Sequence, residues 1–298
     1  MRLYSTTKGI AREAAPGELE LLDIDARDLG ELLAADPTLE TAASAPAKSR
    51  LPIDQATLLA PVPAPGCVYC VGANYESHVE EMTTLNVGDP EAMKATLEAI
   101  RSRPMFFTVP ATATSGPYSD IVLPEIAPGM VDYEIEVAAI IGQGGSSIPE
   151  AQALAAVAGL TLANDVSARD LQRQAMAGHE FEFGHAKGLD GFKPMGPCLA
   201  TLDEVPNPQD CRIEARVNGE VRQSAVLANL IHGIPACVAY ISRFHTLKPG
   251  DVILTGSPAG VGFFQGSFLK AGDTVEMTAT GIGTIRNPVV SKTGQQAA

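Results

Sequence analysis

Acidic residues alternate with apolar residues at the start of a hydrophobic segment near the middle of the chain. Asp132, Glu134 and Glu136 are separated by single residues, and the segment continues apolar to Ile141. Because strand side chains point to opposite faces with a period of two, the three carboxylates are expected to share one face. Carboxylates crowded at the end of a buried strand repel one another and lose hydration, and a hard divalent cation relieves both effects. The spacing therefore predicts a metal site.

Another acid is available further along the chain. Asp165 follows the short apolar segment 160–163, at the end of a predicted strand, where functional side chains commonly project. Glu134, Glu136 and Asp165 form an all-oxygen ligand set, which suits Mg²⁺ or Mn²⁺, permits Ca²⁺ and disfavours zinc. Two alternatives stay open: the glutamates form the solvent face of an edge strand, or Asp165 forms a structural ion pair with Arg169.

Composition excludes several classes of function. The chain has 298 residues, a net charge of −14 and a pI near 4.7, which argues against nucleic acid or an anionic membrane as the main partner. An anionic small-molecule substrate remains compatible if local cations receive it. Neither a secretory signal nor a membrane-spanning segment is evident, so a cytoplasmic location is expected. The five cysteines indicate reduced thiols, and Cys67 and Cys70 are expected in the core.

Hydrophobic patterning predicts a β-rich α+β fold, because runs of short strands are interrupted by few helices. Closely spaced prolines at 61–65 favour an extended linker, which divides the chain into a small N-terminal domain with its linker (1–64) and a catalytic domain (65–298). Two polar helices, predicted over 74–82 and 89–103, suggest a lid. Two further helices are predicted at 147–158 and 224–244. Strands are predicted at 68–71, 105–109, 133–141, 212–217, 251–255 and 274–280.

Several sequence blocks, in the expected order, resemble the fumarylacetoacetate hydrolase family over residues 66–290. The resemblance implies that family's mixed β-sheet roll or sandwich and a divalent metal. The blocks are Gly72-Ala73-Asn74-Tyr75 with His78, Asp132-Tyr133-Glu134-Ile135-Glu136, Asn164-Asp165-Val166-Ser167-Ala168-Arg169-Asp170, Lys187-Gly188-Leu189-Asp190, Thr255-Gly256-Ser257-Pro258 and Gly281-Ile282-Gly283-Thr284-Ile285-Arg286-Asn287-Pro288.

The resemblance also implies roles for individual residues. The metal ligands would be Glu134, Glu136 and Asp165. His78, held by Glu81 one helical turn later, would activate water, and Lys187 is the family's active-site lysine. The positions expected to contact substrate are Tyr75, Arg169, Gln172, Thr255, Gly256 and Ser257. One position departs from the family, because Val109 stands where members often carry the lysine of Phe-x-Lys-Pro.

The implied activity is metal-dependent hydrolysis of a carbon–carbon bond in a 2-oxo acid or β-diketone of acylpyruvate or fumarylacetoacetate type. His78 would deliver water to the distal carbonyl, while Lys187 and Gln172 stabilise the oxyanion. Decarboxylation or isomerisation of 2-oxo or 2-hydroxydienoic acids at the same site is the alternative, since fold-level likeness does not choose among them. Family members are commonly homodimers, and the same is expected here.

Two rival classes are less well supported by the sequence. The segment Gly142–Ser147 approaches the G-x-G-x-x-G pattern of nicotinamide-dependent oxidoreductases, but its third glycine is missing and alternating βα units do not follow. A non-catalytic binding protein on the same fold would need the acids but not His78 and Glu81. The presence of both favours hydrolysis over binding, decarboxylation or isomerisation.

Overall fold

The computed structural model of the protein describes residues 1–83, 90–177 and 183–292. Its strands, in chain order, are β1 (Arg2–Thr6), β2 (Gly9–Ala15), β3 (Glu18–Leu22), β4 (Ala47–Pro52), β5 (Val68–Gly72), β6 (Met105–Val109), β7 (Thr114–Ser115), β8 (Ile121–Leu123), β9 (Val131–Asp132), β10 (Ile135–Ile141), β11 (Val157–Asn164), β12 (Ser167–Ala168), β13 (Lys193–Ala200), β14 (Arg212–Val217), β15 (Glu220–Val226), β16 (Val252–Leu254), β17 (Thr274–Ala279) and β18 (Gly283–Ser291). Its helices are α1 (Leu29–Ala35), α2 (Glu40–Ser44), α3 (Glu76–Thr83), α4 (Pro90–Ser102), α5 (Glu150–Ala153), α6 (Arg169–Ala177), α7 (Gly184–Lys187), α8 (Ile234–Ile241) and α9 (Gly262–Gln265).

The strands form two large mixed sheets and one small ribbon, as expected for a β-rich α+β fold. The larger sheet has the order β4-β3-β2-β1-β13-β11-β10-β16-β5-β6, with β7 paired to β13. The second sheet has the order β15-β14-β17-β18-β8, and β12 pairs with β9. Strands β1 to β4 lie in the large sheet because β1 pairs with β13. The N-terminal residues therefore do not form a sheet of their own, and the domain division at residue 64 stays a prediction.

The central strand β10 carries the two-residue alternation that positions the site. Ile135, Val137 and Ala139 belong to the main hydrophobic core, which also includes residues of the second sheet. Ala138 and Ile140 face a second core that contains residues of β5, β13 and β16. Since side chains alternate along a strand, Glu136 points to this second side at the end of the apolar stretch.

Several predicted elements match the structure, and two helices do not. The predicted lid helices correspond to α3 and α4, although residue 89, the first of the second predicted helix, lies outside the described residues. The helix predicted over 224–244 is wrong in its first half: residues 220–226 form β15, and the helix begins only after Gly233 with a proline in its first turn. The helix predicted over 147–158 is also wrong at its start, because Ser147 has a positive φ of 51° and α5 begins only at Glu150, without a side-chain cap.

The glycine-containing segment 142–147 does not form a dinucleotide-binding turn. The strand before it, β10, pairs antiparallel with both neighbours, whereas the dinucleotide-binding fold requires parallel βαβ units. Gly144 packs so closely against the backbone that a Cβ there would lie 2.4 Å from the Leu247 carbonyl oxygen. These glycines serve packing. No helix within the described ranges is long and apolar enough to cross a membrane.

Candidate active site around an acidic trio

Antiparallel pairing of β10 with β11 brings Glu134, Glu136 and Asp165 together; we call these residues the acidic trio. The pairing places Ile135 opposite Asn164, so Glu134 and Asp165, which flank this pair, are neighbours. The amide of Asp165 donates to the carbonyl of Glu134 at 2.8 Å. One carboxylate oxygen from each member lies within 4.8 Å of the others. All three are buried, and β10 lies between two strands, which excludes the edge-strand alternative for the glutamates.

Asp132 does not join the acidic trio, contrary to the expectation that the alternating acids share one face. Residues 133 and 134 separate β9 from β10, so the strand alternation does not extend back to Asp132. Its carboxylate instead accepts hydrogen bonds from the amides of Gly262 (2.7 Å) and Phe263 (3.0 Å) and from Arg169 Nε (2.9 Å). Asp132 therefore fixes Arg169 and the start of α9.

Two cations contact one side of the acidic trio. Lys187 Nζ lies 2.6 Å from Asp165 Oδ2 and 3.0 Å from Glu134 Oε1, and Arg169 Nη2 also donates to Glu134. Burial opposes ionisation of Glu134, but Lys187 and Arg169 outweigh it and lower the pKa of that carboxyl far below its usual value. Burial likewise opposes the charge on Lys187, yet Asp165 and Glu134 raise its pKa. Glu134 therefore stays ionised and Lys187 stays cationic.

Glu136 has a different environment. Within the described residues it has no ion-pair partner, and its carboxylate accepts a hydrogen bond from the amide of Gly256. Burial, then the nearby Asp165 and Glu134 carboxylates, raise its pKa well above the usual value. A Cβ at residue 256 would lie 2.7 Å from Asn74 Cβ, and φ is +96°, so this amide position requires glycine.

The acidic trio fits a hard divalent cation. Asp165 Oδ1 is buried and accepts no hydrogen bond of regular geometry among the described residues, although Lys193 Nζ lies 2.7 Å away, and Glu136 has no cationic partner there. A bound ion would satisfy both groups and relieve the repulsion that raises the pKa of Glu136. Three carboxylates without nitrogen or sulfur ligands suit Mg²⁺, Mn²⁺ or Ca²⁺ better than zinc.

His78 and Glu81 form a pair on α3, as the offset of three residues predicts. His78 Nδ1 lies 3.2 Å from Glu81 Oε2, and Glu81 Oε1 accepts from the amide of Gly260 at 2.9 Å. Gly260 has φ +103°, and a Cβ there would lie only 2.0 Å from the carbonyl oxygen of Arg222. A backbone turn that only glycine tolerates thus orients Glu81, which in turn orients the imidazole.

A cavity of about 360 Å³ connects the histidine to the acidic trio. Its lining combines polar and apolar side chains. The polar ones are His78, Glu134, Asp165, Arg169, Gln172, Lys187 and Ser257. The apolar ones include Met82, Met105, Phe107, Phe183, Phe263 and Phe264. Phe107 and Phe183 stack with ring centroids 5.3 Å apart, and Phe264 meets the edge of the His78 ring at 5.7 Å. The cavity can hold an anionic head group against the cations and an apolar arm against the rings.

The structure does not place every predicted substrate contact on the cavity. Tyr75, Thr255 and Gly256 are absent from its lining. The Thr255 hydroxyl donates to the Val137 carbonyl at 2.7 Å, and the Gly256 amide is engaged by Glu136. Ser257 lines the cavity and accepts from Gln223 Nε2 at 2.8 Å. The substrate-binding roles assigned from the resemblance stay predictions for all of these residues.

Sequence reasoning missed a buried lysine beside the acidic trio. Lys193 Nζ lies 2.7 Å from Asp165 Oδ1, and the side chain is fully buried. The signal was a lone charge in the otherwise uncharged segment 191–200, since buried lysines are almost always paired. Val109, at the position where the family often has lysine, is buried in the second hydrophobic core. The aromatic residues of the cavity lining were also missed, because they come from separate segments.

Comparisons with known proteins agree with this architecture. The family model for the fumarylacetoacetate (FAA) hydrolase C-terminal domain matches residues 67–290. A mitochondrial oxaloacetate tautomerase of Bos taurus is 42% identical over 242 residues, covering 80% of this chain and 71% of the relative.

Two solved structures resemble the whole fold. A 2-hydroxyhepta-2,4-diene-1,7-dioate isomerase from Mycobacterium marinum matches with a TM-score of 0.75 at 33% identity, over 99% of this chain and all of the other. Maleylpyruvate hydrolase from Sphingobium sp. SYK-6, in complex with manganese(II) and pyruvate, matches with a TM-score of 0.75 at 25% identity, over 98% of this chain and 99% of the other. The chain belongs to the fumarylacetoacetate hydrolase family.

Proposed function

We propose that this protein is a divalent-metal-dependent isomerase that interconverts the keto and enol forms of a 2-oxo acid of oxaloacetate type. The observation that carries the proposal is the acidic trio beside a cavity that Glu134, Asp165, Lys187 and His78 all line. Hydrolysis is the main expectation from the sequence, but the tautomerase and isomerase relatives support the alternative.

Glu134, Glu136 and Asp165 would hold the ion, with Mg²⁺ or Mn²⁺ as the best candidates and Ca²⁺ as a further one. When bound, it supplies Lewis acidity that stabilises negative charge on the carboxylate and 2-oxo oxygens of the substrate. Lys187 adds a positive charge beside the ion, with its Nζ 2.6 Å from Asp165 Oδ2 and 3.0 Å from Glu134 Oε1. Arg169 is oriented by Asp132 and donates to Gln172 Oε1 at 2.7 Å, which fixes Gln172 toward the cavity.

His78 is the group suited to move the proton. In the keto-to-enol direction its imidazole takes a proton from C3 of the substrate, and the oxygen at C2 is then protonated from solvent. The reverse direction returns a proton from His78 to C3. Glu81 stabilises the imidazolium through the Nδ1 contact, which is the usual role of a carboxylate behind a catalytic histidine. The aromatic residues of the cavity lining would limit access of water to the substrate.

Carbon–carbon bond hydrolysis is the second candidate. The His78–Glu81 pair favours it, because the same geometry that moves a proton at carbon can remove one from water. The maleylpyruvate hydrolase relative supports it as well. The two activities differ in product: isomerisation conserves the carbon skeleton, whereas hydrolysis of an acylpyruvate releases pyruvate and a second acid.

The test follows loss of enol absorbance of oxaloacetate with purified protein, after chelation and again with Mn²⁺ or Mg²⁺. Pyruvate formation from acylpyruvates is measured in parallel. We expect metal-dependent acceleration of ketonisation without pyruvate release, and loss of that acceleration in Glu134→Gln. Metal-dependent release of pyruvate from the acylpyruvates at a rate above that of oxaloacetate enol loss would favour the hydrolase instead. No metal-dependent change in either assay would refute both. A homodimer, a cytoplasmic location and a small anionic substrate remain proposals of the same kind.

A further inference from the structure

Lys193 is a second lysine on Asp165, and its setting differs from that of Lys187. Lys187 lines the cavity and bridges two acids, whereas Lys193 is absent from the cavity lining. Of the acidic trio, the described ion pairs of Lys193 reach Asp165 alone. Lys193 therefore lies behind the metal ligand, where the substrate cannot contact it.

Backbone carbonyls fix the ammonium group of Lys193. Its Nζ donates to the carbonyl oxygens of Val166 (3.3 Å), Phe192 (3.1 Å) and Lys187. These bonds use its three N–H groups, so the contact with Asp165 Oδ1 at 2.7 Å is an ion pair without hydrogen-bond geometry. Asp165 Oδ1 thus experiences a nearby positive charge but keeps its lone pairs free for another ligand.

We infer that Lys193 is a positioning residue whose fixed charge weakens divalent-metal binding at Asp165 and keeps the ion exchangeable. The inference rests on the acidic trio being the metal site of the proposed function. A cation held beside one ligand repels an incoming divalent ion, and a buried site screens this repulsion poorly. Because strand β13 and the three carbonyls hold the ammonium in place, it cannot swing away when the ion enters.

The test is a titration of the purified, chelator-treated protein with Mn²⁺, in which the free ion is measured by electron paramagnetic resonance. Lys193→Gln removes the charge but keeps two N–H donors for the carbonyls, and Lys193→Met removes both. Lys193→Arg keeps the charge. Lys8→Gln, in the exposed turn between β1 and β2, is the matched control for net charge. Asp165→Asn gives the free-Mn²⁺ signal expected when the acidic trio is disrupted.

We expect Lys193→Gln to bind Mn²⁺ at least tenfold more tightly than the wild type, with Lys193→Arg and Lys8→Gln unchanged. Lys193→Met should also bind more tightly if it folds, which circular dichroism establishes; if it does not fold, Lys193→Gln decides alone. Equal or weaker affinity in Lys193→Gln overturns the inference, because a purely structural lysine would lose affinity when replaced. Absence of Mn²⁺ binding by the wild type would instead refute the metal site itself.

Discussion

Replacing Asp165 and Glu136 by their amides should change stability in opposite directions, although each change removes a proposed metal ligand. Asp165→Asn removes the counterion of Lys187 and Lys193, which lie 2.6 and 2.7 Å away and are 5% and 0% exposed. Removing one partner of a buried ion pair typically costs about 3–5 kcal/mol. For a chain of this size, that loss corresponds to a decrease in Tm of about 10 °C.

Glu136→Gln removes a carboxylate that has no cationic partner among the described residues. Its oxygens lie within 4.8 Å of carboxylate oxygens of Glu134 and Asp165. At that distance and an effective dielectric constant of about 20, each repulsion amounts to about 3 kcal/mol, which Lys187 partly offsets. The glutamine still accepts the bond from Gly256. We expect the metal-free protein to gain about 1–3 kcal/mol in free energy of unfolding.

The assay is thermal unfolding in the presence of a chelator at several pH values. The Tm of each variant is compared with that of the wild type at the same pH. The folded pKa of Glu136 is raised, so the native state binds an extra proton between the unfolded and folded pKa values. Its contribution to stability therefore decreases as pH rises above about 4.5. The advantage of Glu136→Gln should grow over the same range. A Tm for Glu136→Gln that falls as far as that for Asp165→Asn would refute this account of the charges.

Two substitutions test other parts of the site, and a thiol titration of the native protein tests the core. His78→Gln should lower kcat by about 10²- to 10⁴-fold and leave the Mn²⁺ dissociation constant unchanged; wild-type turnover would exclude His78 as the proton carrier. Gly260→Ala should lower Tm and activity together, because its Cβ would collide with the Arg222 carbonyl, and unchanged melting would contradict that geometry. Native protein at pH 8 should expose at most one reactive thiol, that of Cys67, to a disulfide reagent. Burial raises the pKa of the other four cysteine thiols more than that of Cys67. Rapid reaction of two thiols would argue against this core.

The acidic trio could be predicted from sequence because its members lie at strand ends whose pairing is local. Glu134 and Glu136 flank the start of β10, and Asp165 follows the strand that pairs with it. Asp132 fits the same alternation, but the strand is interrupted after it, and period-two reasoning cannot detect such a break. The His78–Glu81 pair was predictable for a similar reason, since both residues lie on one helix at an offset of three.

Long-range packing explains what the sequence did not predict. The helix predicted over 224–244 begins ten residues late, because residues 224–226 pair with β14 and residues 227–229 form a separate 3-10 turn before α8 starts at Ile234. Lys193 contacts Asp165 only because β13 and β11 are neighbours, although they are separated along the chain. The joining of the N-terminal strands to β13 is equally non-local. Such contacts depend on sheet order, which residue patterns do not encode.

The central claim is that oxygens of Glu134, Glu136 and Asp165 bind one divalent ion. Crystals grown with Mn²⁺ and measured at the manganese absorption edge test it directly, because anomalous scattering locates the ion independently of the protein atoms. We expect one strong peak about 2.1 Å from an oxygen of each of the three residues. A peak coordinated by other residues, or no peak at saturating Mn²⁺, would contradict the claim.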